Sequence, residues 1–177
     1  GPTQSSGASV AWAARLLGEP VGRLSELAAK ADAAITPTFV PYLSGERAPL
    51  WDPSVRAVFA GVDAASGRAE FARAVLRGVA LSAAHILDIA RRSATTTPEL
   101  VHLAGRAAAD PFGLRLRLEA LGMPIAVHPE PYVSALGAAM LGAAAANAGD
   151  LRAGDALRTT PTVLDPTPAQ VNSAAEA

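Results

Sequence analysis

The clearest periodic pattern of hydrophobic residues lies between residues 69 and 93. Apolar side chains recur there at steps of three and four residues, which is the spacing of one face of an α-helix. The members of this face are Phe71, Ala72, Val75, Leu76, Val79, Ala83, Ile86, Leu87 and Ala90. The pattern therefore predicts a long amphipathic helix whose apolar face packs against the core.

Two shorter helices are predicted before this one. Residues 8–17 form an apolar and small-residue run that Gly18 and Pro20 end. Residues 22–33 place leucines and alanines on one face at helical spacing.

Short apolar runs predict strands at residues 38–40, 55–62, 100–104 and 125–128. Two more helices alternate with the last two strands. One begins at Asp110 and Pro111 and ends at Gly122, and the other is a small-residue helix over residues 134–146. This alternation predicts an α/β layer architecture with crossover connections. Periodicity fades after Gly149, so we expect residues 149–177 to be loose.

Composition narrows the possible functions. The chain has 177 residues, of which 50% are hydrophobic, and its net charge is −1. Neither nucleic acid nor an anionic membrane surface is therefore expected as a partner. The sequence holds no cysteine, no run of about eighteen apolar residues and no signal-peptide pattern at its start. We therefore expect a cytoplasmic protein without disulfides. His85, His102 and His128 lack metal-ligand spacing, and we expect His85 and His102 to be packed in the core.

A loop rich in proline and charge occupies residues 41–53 and leads into the strand predicted at residues 55–62. It reads Pro-Tyr-Leu-Ser-Gly-Glu-Arg-Ala-Pro-Leu-Trp-Asp-Pro. Its prolines restrict the backbone, and ordered loops with charged tips often carry function. The alternative interpretation is an ordinary connector.

This loop and the residues after it resemble the C-terminal region of the FGGY carbohydrate kinases. The family shows Pro-Tyr-Leu-x-Gly-Glu-Arg-x-Pro, followed by Asp-Pro-x-x-Arg-Gly. Arg56 and Ala57 stand at the Arg-Gly positions, so Ala57 differs from the glycine of the family pattern. Residues 70–78 resemble the long-helix signature, which usually ends in Glu-Gly and here ends in Arg77-Gly78.

The resemblance implies an actin-like (ribonuclease-H-like) ATPase domain that lacks its first strands. It covers about residues 1–148, which we take as a partial C-terminal kinase domain, with 149–177 as a separate C-terminal segment. Besides nucleotide and sugar, the resemblance implies the missing N-terminal kinase domain as a partner. The sequence does not decide whether the chain forms a homodimer.

The segment from Val101 to Pro111 is the strongest candidate site. A strand ends at Gly105 and a helix begins a few residues later, an arrangement that can present backbone N–H groups to an anion. A plain strand-to-helix connection with Asp110 as N-cap is the alternative.

In the family this segment is the Gly-Gly-Gly-Ala-x-Ser/Asn loop that holds the nucleotide. Gly105 matches its first glycine and Asp110 its last position, whereas Arg106 and Ala107 replace two glycines. Arg106 would then either contact the nucleotide or obstruct it.

The resemblance also implies that Gly7 and Ala11 border the adenine and ribose. Trp12 is expected to anchor the core. Residues 134–140 resemble the Ala-x-Gly-Ala-Ala helix of the family, which we interpret as structural because small residues permit close packing.

The resemblance implies an ATP- and Mg²⁺-dependent kinase acting on a xylulose- or gluconate-type sugar. No catalytic residue and no metal ligand can be assigned. The catalytic aspartate and the phosphate-binding hairpin of the family precede the matched region, and Asp52, Asp63 and Asp110 do not match the catalytic position. The alternative is a truncated or degenerate domain that acts only by docking to another chain. A helical scaffold unrelated to the family is a third interpretation.

Overall fold

The computed structural model describes residues 2–96 and 98–176. Within these residues the helices are α1 (Ser6–Leu16), α2 (Leu24–Ala28), α3 (Arg68–Ser93), α4 (Pro111–Leu121), α5 (Val133–Ala146) and α6 (Pro168–Glu176). The strands are β1 (Thr38–Val40), β2 (Val58–Ala60), β3 (Val101–Leu103), β4 (Ile125–Val127) and β5 (Thr162–Leu164). Short 3₁₀ turns occupy Val21–Arg23, Ala33–Ile35, Arg106–Ala109 and Leu151–Leu157.

The strands form two small sheets. β1 and β2 pair antiparallel, with Phe39 opposite Phe59. In the second sheet the order is β3-β4-β5, with β3 parallel to β4 and β5 antiparallel to β4. The helix α4 connects β3 to β4, so the predicted crossover unit is confirmed.

The long helix α3 is the centre of the core. Its predicted range is confirmed to within one residue, and Val75 and Val79 are buried on it. Phe71, Leu76 and Leu87 are only half-buried, since the most buried positions are instead small residues. The main core joins α3 to α1, α2, β1 and α4, and a second cluster joins α4 to the β3-β4-β5 sheet.

Aromatic side chains connect α1 to the first sheet. Trp12 stacks on Phe39 with ring centroids 5.9 Å apart, and Phe39 lies 4.5 Å from Phe59. Phe71 of α3 meets Phe59 edge-on at 5.0 Å. The prediction that Trp12 anchors the core is confirmed.

The helix predicted at residues 22–33 is too long. It consists of a 3₁₀ turn followed by the five-residue helix α2. Asp32 ends this region because its carboxylate accepts a hydrogen bond from Ala34 N at 2.9 Å, which starts a separate 3₁₀ turn. The strand predicted at residues 55–62 is likewise too long, because only the three residues of β2 form a strand.

The segment after Gly149, expected to be loose, contains a 3₁₀ turn, β5 and α6. Strand β5 completes the sheet beside β4, and α6 packs on α4. The sequence does not reveal β5, because this segment becomes a strand through its pairing with the edge of β4.

The small-residue helix α5 does not pack closely through its own glycines. A Cβ atom at Gly137 or Gly142 would meet nothing within 4 Å. The close approach is made instead by Gly154, where a Cβ atom would lie 2.8 Å from Met140 Cβ. Much of the apolar surface of α5 is exposed, including Leu141 at 66%. Among the described residues, no helix is both long and apolar enough to cross a membrane.

Candidate functional site

The turn after β3 is built around Gly105. Its φ of 82° and ψ of −171° lie in a region that is essentially restricted to glycine. Ala108 N donates to Gly105 O at 3.0 Å and closes the following 3₁₀ turn. The chain thus reverses direction between the end of β3 and the start of α4.

Asp110 is the N-cap of α4, as predicted. Its Oδ1 accepts a hydrogen bond from Phe112 N at 3.2 Å, and its Oδ2 accepts one from Ser25 Oγ at 2.5 Å. Both carboxylate oxygens are therefore engaged within the protein. Ser25 escaped the sequence analysis because it lies 85 residues away in the chain, and its contact depends on how α2 packs near α4.

Gly113 and Arg117 lie beside this carboxylate. A Cβ atom at Gly113 would come within 2.5 Å of Asp110 Oδ2 and 2.8 Å of an Arg117 guanidinium nitrogen, so a larger residue there would displace these side-chain ends. Burial lowers the pKa of the Arg117 guanidinium, and the negative charge of Asp110 opposes that shift. Arg117 keeps its positive charge at neutral pH and faces the negative charge at the start of α4.

The outer side of the turn is open. A Cβ atom at Gly105 would meet only Pro131 O, at 3.9 Å, and Arg106 and Ala107 are exposed, whereas Ala108 is buried. A ligand can therefore reach the backbone at Gly105 and the guanidinium of Arg106. The cationic side chain of Arg106 favours an anionic ligand, whereas the N-terminus of α4 is already capped by the carboxylate of Asp110.

The five predicted site residues fall into two groups. Gly105, Arg106 and Asp110 share the turn before α4. Gly7 and Ala11 lie on α1, which packs on α3. Gly7 is exposed and a Cβ atom there would meet nothing within 4 Å, whereas Ala11 is half-buried.

The loop at residues 41–53 is held by Glu46. This buried carboxylate accepts hydrogen bonds through Oε1 from Gln4 N and Arg47 N, both at 2.7 Å. Beside it lies a cavity of ≈ 260 Å³ whose wall includes Trp51, which is 70% exposed. Burial raises the pKa of the nearby Tyr42, and Glu46 adds to that shift. The loop is thus an ordered structure tied to the residues before α1.

The sheet brings together two histidines that lie far apart in sequence. His102 Nδ1 and His128 Nε2 are 2.9 Å apart. His102 is exposed, so the expectation that it is packed in the core is wrong, and His85 on α3 is exposed as well. His102 points away from the core because its neighbours Val101 and Leu103 occupy the core-facing positions of the strand.

Comparison with known proteins assigns the domain. Residues 3–146 match the "FGGY family of carbohydrate kinases, C-terminal domain". The xylulose kinase of Escherichia coli (strain K12) is 36% identical over 146 residues, which are 81% of this chain and 30% of that protein.

Solved structures give the same assignment. A ligand-bound xylulose kinase from Lactobacillus acidophilus has a TM-score of 0.82 at 26% identity, covering 99% of this chain and 36% of that one. The gluconate kinase of the same organism has a TM-score of 0.82 at 25% identity, covering 99% and 37%. The fold is also that of Plasmodium falciparum glycerol kinase with ADP, with a TM-score of 0.72 at 23% identity and coverage of 97% and 36%.

The chain is an α/β domain of the actin-like ATPase fold. It belongs to the FGGY family of carbohydrate kinases, as a C-terminal domain. It spans about a third of the length of the relatives it matches.

Proposed function

We propose that this chain is the nucleotide-binding C-terminal part of an ATP-dependent carbohydrate kinase. The whole enzyme would transfer the γ-phosphoryl group of ATP to a hydroxyl group of a xylulose- or gluconate-type sugar. The observation that supports this proposal is the open turn at Gly105, which ends β3 and leads into the N-terminus of α4, in a chain of this family.

The nucleotide would lie against the turn from Gly105 to Asp110, with Gly7 and Ala11 on its other side. Asp110 would support the turn without binding the nucleotide directly, since both of its carboxylate oxygens already accept hydrogen bonds. Its negative charge would direct the phosphate groups away from it, towards the part of the kinase outside this chain. The exposed backbone at Gly105 and the guanidinium of Arg106 remain as contacts.

Magnesium is expected to accompany ATP in such a kinase. Over residues 2–96 and 98–176, no three His, Asp or Glu side chains come together as a ligand set. The ion would therefore be held by the phosphates and by groups outside this chain.

The proposed substrate class is based on the loop at residues 44–49, Ser-Gly-Glu-Arg-Ala-Pro. The sequence of this loop resembles that of xylulose and gluconate kinases more than that of glycerol kinases. The similar proteins named above include all three activities. A xylulose- or gluconate-type sugar is therefore the proposed substrate class.

Titration of the chain with ADP tests the placement of the nucleotide. We expect amide chemical-shift changes at residues 104–111. Arg106→Gly should strengthen binding if the side chain obstructs the site and weaken it if the side chain contacts the nucleotide. Arg152→Gly, which changes an exposed arginine elsewhere, is the matched control and should leave binding unchanged. Shift changes that avoid residues 104–111 would contradict the proposal.

A second candidate function is a non-catalytic domain that docks to another chain. The exposed apolar surface of α5, with Leu141 at 66% exposure, favours it, because a helix that is apolar on all sides is usually buried. Arg106 and Ala107 in place of glycines point the same way. Absence of any ADP binding, combined with capture of an N-terminal kinase fragment, would favour this function over the first.

A further inference from the structure

His102 and His128 form a pair on the face of the second sheet that turns away from α3 and α4. His102 lies in β3 opposite Ala126 of the adjacent parallel strand, and His128 directly follows the end of β4. Residues two apart along a strand point to the same face, so Ala126 and His128 lie on the face of His102. Their ring centroids are 5.2 Å apart with an interplanar angle of 34°.

The 2.9 Å between His102 Nδ1 and His128 Nε2 is a hydrogen bond, so one nitrogen donates and the other accepts. The lone pair of the accepting nitrogen points at the proton that lies between the two rings. Neutral imidazole is also the usual protein ligand of copper, nickel and zinc. When the donating ring carries its proton on its other nitrogen instead, both facing nitrogens present lone pairs, and one metal ion can bind both of them.

We propose that His102 and His128 form a two-histidine site for a divalent transition-metal ion. The rest of the coordination sphere would be water, since His102 is exposed and His128 is only half-buried. The position of the backbone is already set by the strand pairing, so binding would need only rotation of the two imidazole rings.

The general order of affinity for nitrogen ligands predicts which ion binds best. Among divalent ions of the first transition row, Cu²⁺ binds a given set of nitrogen ligands more tightly than Ni²⁺ or Zn²⁺. We therefore expect the highest affinity for Cu²⁺. Mg²⁺ should not bind, because it prefers oxygen ligands.

Calorimetric titration of the untagged chain with NiCl₂ and CuSO₄ tests the proposal. We expect one ion per chain, and His102→Ala or His128→Ala should each weaken binding about a hundredfold, because the second ligand acts at high effective concentration. His85→Ala is the matched control, since it removes the other histidine, which is exposed on α3, and should leave affinity unchanged.

The circular dichroism spectrum of each variant establishes that it is folded, and His102→Gln provides a second variant at the same position. The site is wrongly assigned if the single variants bind Ni²⁺ within threefold of the parent, or if His85→Ala weakens binding as much as they do. One ion per two chains would also overturn it, because the ligands would then come from different molecules. Since Mg²⁺ and ADP play no part in this test, its failure leaves the proposed kinase function unaffected.

Discussion

Gly78 lets α3 approach the backbone of β1. A Cβ atom at this position would lie 2.2 Å from Phe39 O, which is backbone and cannot rotate away. We predict that Gly78→Ala lowers the free energy of unfolding by about 1–3 kcal/mol, because the helix must shift. Urea unfolding followed by circular dichroism measures this change.

Gly142→Ala is the matched control, because Gly142 also lies within a helix but a Cβ atom there meets nothing within 4 Å. This variant should be more stable than the parent by up to about 1 kcal/mol, since alanine favours helix. Equal destabilisation by both changes would show that the contact with Phe39 is not the cause.

Glu70 joins the start of α3 to the residues after α2. Its Oε1 accepts a hydrogen bond from Asp32 N at 3.0 Å, and its Oε2 accepts one from Gly67 N at 2.9 Å. The hydrogen bond from Asp32 is the largest cause that lowers the pKa of this carboxyl, and the one from Gly67 also lowers it. These hydrogen bonds thus stabilise the ionised form of Glu70 in the folded state relative to the unfolded chain.

Because the folded pKa of Glu70 is lowered, its stabilising effect is present above the unfolded pKa of about 4.3 and is lost as pH falls through the folded value. We predict that Glu70→Gln lowers the urea midpoint at neutral pH and that the difference from the parent shrinks below about pH 4. Glu99→Gln, at an exposed glutamate, serves as the control. A difference that stays constant down to the folded pKa would contradict the assigned role.

Sequence reasoning predicts single residues well where their role is local. Asp110 and Pro111 at the start of α4 and Gly122 at its end follow from capping preferences alone, and the structure confirms all three. The contacts Ser25–Asp110, Gly78–Phe39 and His102–His128 each depend on how distant elements pack. No spacing in the sequence encodes them.

At the scale of the element, α3 determines the integrity of the core. Val79 is only 6% exposed and lies in the buried stripe of this helix. We predict that Val79→Asp unfolds the domain, because an unpaired buried charge costs several kcal/mol against a total stability of about 5–15 kcal/mol. Thermal unfolding followed by circular dichroism provides the measurement.

Val62→Asp places the same charge on a residue that is 54% exposed and should change stability by no more than about 0.5 kcal/mol. If Val79→Asp melts at the temperature of the parent, as Val62→Asp should, the face assigned to α3 is wrong.

Helix prediction succeeds in proportion to length. The 26 residues of α3 show many repeats of the helical spacing, so the pattern defines its bounds, whereas the five residues of α2 are too few to reveal a period. Strand β5 is no shorter than the four predicted strands, but it pairs only with β4, which offers it an edge. The sequence predicts helix α5 to within one residue, but its composition does not reveal that much of its apolar surface is exposed.

At the scale of the whole molecule, Asp52, Asp63 and Asp110 bear on whether this chain can catalyse phosphoryl transfer. Asp52 Oδ1 accepts hydrogen bonds from Ser54 N and Oγ, and Asp63 Oδ1 accepts one from Ala65 N. Asp110 caps α4. All three carboxylates thus stabilise turns of their own or neighbouring segments, which is a structural role.

Sugar phosphorylation requires a carboxylate that accepts the hydroxyl proton. Asp52 is poorly suited to this task, because the hydrogen bonds from Ser54 lower the pKa of its carboxyl, whereas an efficient base at neutral pH needs a raised one. We therefore predict that the 177-residue chain alone has no sugar kinase activity. A coupled ADP-release assay with xylulose, gluconate, ribulose and glycerol measures this. Asp52→Asn should match the parent at background level. Turnover that depends on one of these sugars, and that Asp52→Asn abolishes, would show that this loop carries the base after all.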